Sequence, residues 1–254
     1  MNRYYQTVLL IVTVFLFQCS LPKSATEKES ITSPSYASTL EVLNHEFFEV
    51  GYDLSKRHAA YVRYMLTPSD LQGKAKRKNN FKPDPLLPEQ FSAQDEDYYK
   101  SGFDRGHLCP AADMKTSQSS MDKSFYYSNM SPQLPGFNRG IWKKLEAQVR
   151  EWTKHADSLW INTGPIFHTS DTTLDASKIA VPQKYYKTIL RYEGNEKSGI
   201  GFILNNASSK NELISFIVSI DKVETATQLD FHQFLPNTIE EEIESKIDTT
   251  IWFN

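Results

Sequence analysis

Five short runs of apolar and β-branched residues stand out along the chain, bounded by Gly, Pro, Asn or Ser. They are YVRYMLT (61–67), SLWINTG (158–164), YYKTILRY (185–192), GIGFIL (199–204) and LISFIVSI (213–220). Runs of this length and make-up predict strands. One segment has a different period. In IWKKLEAQVREW (141–152), Ile141, Trp142, Leu145, Val149 and Trp152 recur at helical spacing, which predicts an amphipathic helix. Asn138, just ahead of it, is placed to serve as a cap. NTIEEEIESKI near the C-terminus predicts a second helix, acidic in its first turn as the helix dipole favours. Strands outnumber helices and do not alternate with them regularly. The expected class is therefore α+β, with a largely antiparallel sheet flanked by helices.

Composition refines this picture only slightly. With 254 residues, 39% hydrophobic and 13% aromatic, the chain suits one globular domain of ordinary core content. A formal net charge of −3 announces no global basic field. That counts against a static nucleic-acid binder but not against an enzyme that needs only a local cationic groove. The two cysteines, Cys19 and Cys109, exclude a disulfide framework and a cysteine-rich zinc site.

The N-terminus reads as a targeting segment. One cation, Arg3, precedes an apolar run from Val8 to Phe17 that only Thr13 interrupts. The run is shorter than the roughly 20 residues that span a bilayer but fits a signal-peptide core. Leu16-Phe17-Gln18-Cys19 is similar to a bacterial lipoprotein cleavage box, although Gln18 replaces the usual small residue. The expectation is a signal peptide over 1–19, of lipoprotein type, in an exported bacterial protein that is either secreted or held in the cell envelope. Its only membrane contact would be a lipid anchor at Cys19. Residues 20–39 hold nine Ser or Thr and two Pro, a composition that predicts a flexible tether. The folded domain is expected over 40–254.

The densest chemistry lies in DRGHLCPAADM (104–114). His107 titrates near neutrality and suits a general base. Arg105, two residues earlier, lies on the same side if the segment is extended and can clamp an anion. Gly106 permits a positive φ or a close approach of backbone to ligand. Further on come Asn129, Asn138, Glu146 and Arg150. A carboxylate and an amide oxygen near one helix are hard ligands of the kind Mg²⁺ accepts while keeping most of its waters. Glu146 and Arg150 are four residues apart and can pair on that helix. A base, a phosphate clamp, a hard-metal site and a second cation are what phosphodiester hydrolysis requires.

These residues resemble the sugar-non-specific DNA/RNA endonucleases with a ββα-metal site, a family that takes in secreted bacterial nucleases and mitochondrial endonuclease G. The signature stands intact from Asp104 to Ala112, and the steps of 9, 8 and 4 through Asn129, Asn138, Glu146 and Arg150 match the family pattern. FKPDP (81–85), NTGPIF (162–167), VPQKYYKTIL (181–190) and DKVETATQLDF (221–231) extend the likeness over about residues 45–235. The resemblance implies the ββα-metal fold and a Mg²⁺-dependent enzyme, with Mn²⁺ a substitute, that cuts DNA and RNA. It implies that His107 activates water and that Asn138 is the sole direct protein ligand of the metal. Glu146 then holds the metal's waters, Arg105 and Arg150 bind the phosphate, and Asn129 positions. A further cation is expected before FKPDP, where KAKRKNNF aligns loosely through Arg77; the run also reads as a solvated basic loop gripping substrate backbone.

Other residues read more simply. His45, His58, His155, His168 and His232 show no metal-ligand pairing and are expected to be ordinary histidines, and Cys109 a small packed residue. Lys184 and Lys187 fit either DNA backbone contacts or alternate strand positions facing water. A non-catalytic envelope protein that binds polyanions on the same fold is the alternative function. The oligomeric state is left open.

Overall fold

The computed structural model describes residues 35–36, 40–174 and 178–253. The expectations for 1–19, Cys19 included, and for most of 20–39 lie outside the described residues. Thr32 to Asn254 form one compact unit. No helix among the described residues is long and apolar enough to cross a membrane.

The strands that build the sheet and the site are β1 (Glu41–Asn44), β2 (Glu49–Asp53), β3 (His58–Leu66), β4 (Asp104–His107), β5 (Met130–Gln133), β6 (Ser158–Ile166), β7 (Lys184–Glu193), β8 (Glu196–Asn205) and β9 (Ile217–Val218). Seven of them form one sheet in the order β9-β8-β7-β6-β3-β2-β1, antiparallel throughout. β4 and β5 make a separate antiparallel pair. The helices are α1 (Asp95–Tyr98), α2 (Gln118–Lys123), α3 (Lys143–Thr153), α4 (Ile220–Thr227) and α5 (Asn237–Ser245). The fold is α+β, as the strand-rich pattern predicts.

Alternation along β7 shows how the layers form. Tyr185 and Ile189 enter the core on one face, with Leu145, Val149 and Trp152 of α3. Tyr186 and Leu190 face the other core, with Ile220 and Val223 of α4 and Ile243 of α5. The buried stripe of α3 is the one its periodicity predicts.

Two predictions fail for identifiable reasons. Of LISFIVSI, only Ile217–Val218 pair as strand. Leu213–Phe216 coil into a 3-10 turn, and Ser219 caps α4 by accepting a hydrogen bond from Lys222 N at 3.2 Å. The cap ends the strand before the apolar run does. Asn138 is not a helix cap either: it lies inside a π-helical turn, Phe137–Trp142, that leads into α3 with a break at Gly140 (φ −104°, ψ −110°).

The FKPDP segment is tied to the sheet by a buried charge. Asp84 is 1% exposed, lies 2.8 Å from His45 Nε2 and accepts a hydrogen bond from the Ser128 hydroxyl. These contacts hold its carboxyl below the usual range although burial alone would raise it. Ser128 directly precedes Asn129, so the buried Asp84 carboxylate anchors the loop next to the candidate site.

Candidate active site

DRGH is not a loop. Asp104–His107 pair with Met130–Gln133 in the register Arg105↔Pro132 and His107↔Met130. Arg105 and His107 do share a side, as their two-residue spacing predicts, and both meet Phe81: the guanidinium lies 4.1 Å from its ring centre, the imidazole 5.8 Å. Gly106 does not take a positive φ. A Cβ there would sit 2.2 Å from Gln133 Oε1, so the glycine makes room for a neighbouring side chain.

Asn129, fully buried, closes the chain behind the imidazole. Its Oδ1 accepts from Cys109 N at 2.8 Å, and its Nδ2 donates to Cys109 O at 2.9 Å and Ser124 O at 2.8 Å. Its action on the site runs through the backbone two residues past His107. Cys109 is buried and its thiol is held protonated by burial and by Asp113.

His107 is 9% exposed, packed edge-on to Phe125 at 4.8 Å. Burial, with help from the Arg77 charge, lowers its pKa to about 3, so the ring is neutral at physiological pH. Its Nε2 is enclosed without a hydrogen-bond partner. Arg77 lies 5.1 Å over Phe125 with Nε bonded to Asn79 Oδ1 at 2.6 Å, and its charge also bears on Glu146. Arg77 is thereby the cation of KAKRKNNF that acts on the site electrostatically.

Asn138, Arg105 and Arg150 are each oriented by a carboxylate. Asp104 accepts from Asn138 Nδ2 at 2.8 Å and from Arg139 through two bonds, one of them 2.8 Å from Nε. The amide is thus turned with Oδ1 free of partners among the described residues. Asp95 pairs with Arg105 and accepts from Tyr127 OH at 2.5 Å. Asp113, fully buried, takes Arg150 Nη1 at 2.8 Å and Tyr64 OH at 3.0 Å. The expected Glu146–Arg150 pairing is therefore not the one formed: the buried carboxylate of Asp113 claims the guanidinium. Glu146 makes no hydrogen bond to another described residue, and burial pushes its carboxyl well above the usual range, opposed by Lys187.

Lys187 corrects a second reading. It neither faces water nor reaches for nucleic acid. It is fully buried, its Nζ lying 4.9 Å over Trp142 with no hydrogen-bond partner among the described residues. Burial lowers its pKa, and the charges of Glu146 and Asp113 resist that fall. Asp95, Asp104 and Asp113 are the residues that sequence reasoning left without roles, and Lys187 the one it placed wrongly. Both Asp104 and Asp113 stood in the quoted stretch, but only the fold reveals their partners.

A cavity of about 390 Å³ brings Arg77, Arg105 and Asn138 together, with Asp104, Arg139, Phe81, Tyr98, Tyr99 and Phe103 also in its wall; His107, Asn129, Glu146 and Arg150 do not line it. Comparisons with known proteins identify the family. A family model described as DNA/RNA non-specific endonuclease matches residues 26–238. Nuclease C1 of Cunninghamella echinulata var. echinulata is 37% identical over 207 residues, covering 75% of this chain and 82% of that protein. Mitochondrial endonuclease G of Caenorhabditis elegans is 33% identical over 240 residues, covering 87% and 78%. A solved EndoG/EndoGI complex superposes with a TM-score of 0.74 at 28% identity, covering 80% of this chain and 90% of that one. The relatives also overturn the exported bacterial placement. Several carry mitochondrial names, from eukaryotes. An apolar run behind a single cation does not by itself fix a destination.

Proposed function

The chain belongs to the DNA/RNA non-specific endonuclease family and is a phosphodiester hydrolase, and on that premise we propose which of its residues do the chemistry. The observation that carries the assignment is the neutral, unpaired imidazole of His107, on the same side of one strand as Arg105. His107 is the general base. With Nε2 enclosed, Nδ1 is the nitrogen that takes the proton of the attacking water. Arg105, held by Asp95 against Phe81, grips the phosphate, and Arg150, held by Asp113, supplies the second cation. Arg77 adds a third from the loop before FKPDP. Asn129 positions His107 through the backbone of Cys109.

The oxygen donors fit a hard divalent ion, because Asn138 offers an amide oxygen whose nitrogen is already tied to Asp104 and Glu146 offers an unpaired carboxylate. Asn138 would hold Mg²⁺, or Mn²⁺ in its place, directly, and Glu146 would hold it through water. Bound there, the ion supplies positive charge to the phosphate and the leaving oxygen. A polyanion-binding protein without catalysis would need neither the neutral base nor the oriented amide.

The full chain should cut plasmid DNA and RNA in millimolar Mg²⁺ and stop in EDTA. His107→Ala should lower turnover by roughly 10²–10⁴-fold, the usual share of a general base, while nucleic-acid binding persists. Substrates left intact in both Mg²⁺ and Mn²⁺, or a near-native His107→Ala, would refute the assignment.

A further inference from the structure

Tyr99 is 72% exposed, more than any other large hydrophobic side chain among the described residues. It projects at the rim of the cavity that also holds Arg105 and Asn138. Its place there is fixed by the backbone. Tyr98, the last residue of α1, is buried and stacks on Tyr127 with ring centres 5.8 Å apart and planes 13° from parallel. Tyr127 in turn bonds Asp95, the carboxylate that holds Arg105. Tyr99 itself is extended (φ −64°, ψ 122°) and ends the helix, and the chain then turns at Lys100 (φ 56°) and Gly102 (φ 84°), both left-handed, with the Tyr99 ring outside. Lys100 Nζ lies 5.1 Å over that ring, so an exposed aromatic face and a cation share one edge of the site. The same anchor thus sets both the phosphate clamp and the ring.

We propose that Tyr99 is a stacking platform for an unpaired base beside the scissile phosphate, with Lys100 meeting the adjoining phosphate, so that single-stranded or locally unpaired polynucleotide is the substrate class this edge selects. The proposal rests on the nuclease reading of the cavity. Every base has a π-face, so an aromatic beside cations grips a strand without reading its sequence. In a duplex those faces are covered by neighbouring bases, and only an unstacked base can reach the ring.

The test is binding of a labelled single-stranded oligonucleotide, read by fluorescence anisotropy in EDTA so that the result does not depend on cleavage. Tyr99→Ala should raise Kd about tenfold, while Tyr99→Phe and Tyr99→Trp stay near native. The duplex of the same sequence should show a much smaller change. An abasic site at one position should reproduce the loss in the native protein, and Tyr99→Ala should add nothing to it. Equal single-strand binding by native protein and Tyr99→Ala overturns the proposal, as does an equal loss on duplex or at every abasic position. Cleavage of the same oligonucleotide in Mg²⁺ tests the nuclease reading separately.

Discussion

At the residue scale, the site is a set of side chains aimed by acids, of which Asp113 is buried, Asp104 half-buried and Asp95 exposed. Burial alone would raise the Asp104 carboxyl, but hydrogen bonds from Arg139 and Asn138 hold it below the usual range. An ionised Asp104 keeps the Asn138 amide turned with its oxygen outward. Asp104→Ala should therefore act as the loss of an orienting partner does, cutting metal affinity or activity by roughly 10–100-fold. The check is a Mg²⁺ titration of cleavage; a curve superposed on the native one would mean that Asp104 does not orient the amide. Lys187 teaches the opposite lesson. Its charge predicted a surface position, yet the alternation of β7 puts it on the face that Tyr185 and Ile189 bury.

At the scale of elements, α3 both fills the core and presents Glu146 and Arg150 from the flank of its apolar stripe. Leu145, fully buried between those two duties, carries only the first. Leu145→Ala should lower stability by about 2–5 kcal/mol through lost burial and the cavity left behind. Urea unfolding measures this; a loss under 1 kcal/mol would mean α3 packs less tightly than its contacts suggest. The helix itself was legible from its period. The π-turn ahead of it was not, because no hydrophobic period marks an inserted residue. Nor was the β4–β5 pair, four residues a side with little apolar alternation, which depends on Asn129 and the Asp84–His45 anchor for its place.

Over the whole molecule, buried titratable groups set how stability follows pH. Burial lowers His58 to about 4 and His107 and His232 to about 3, so the folded state keeps them neutral while the unfolded chain protonates them near 6.5. Stability from these groups is lost as pH falls below 6.5. Beside His232, burial and the mutual repulsion of neighbouring acids raise Glu224 to about 8, and burial with Asp230 and Asp221 raises Glu244 to about 8. The folded state then holds protons that the unfolded chain has released, so stability falls as pH rises from the ordinary carboxylate range to about 8. Between 6.5 and 8 only the carboxylates act in this way. Thermal melts should drop across that interval, and Glu224→Gln should flatten the drop; an equal slope in the variant would exclude Glu224 as its source.

The sequence alone determined what is local: the period of α3, the four central strands β3, β6, β7 and β8, and the residue types and spacing from His107 to Arg150 that name the chemistry. The tertiary structure decided which acid aims which base or amide, pairing Asp104 with Asn138, Asp113 with Arg150 and Asp95 with Arg105, and it buried Lys187. Side-chain chemistry and periodicity are written in consecutive residues. The partner of a charge is chosen by the register and packing of elements far apart in the chain, and no single stretch encodes those.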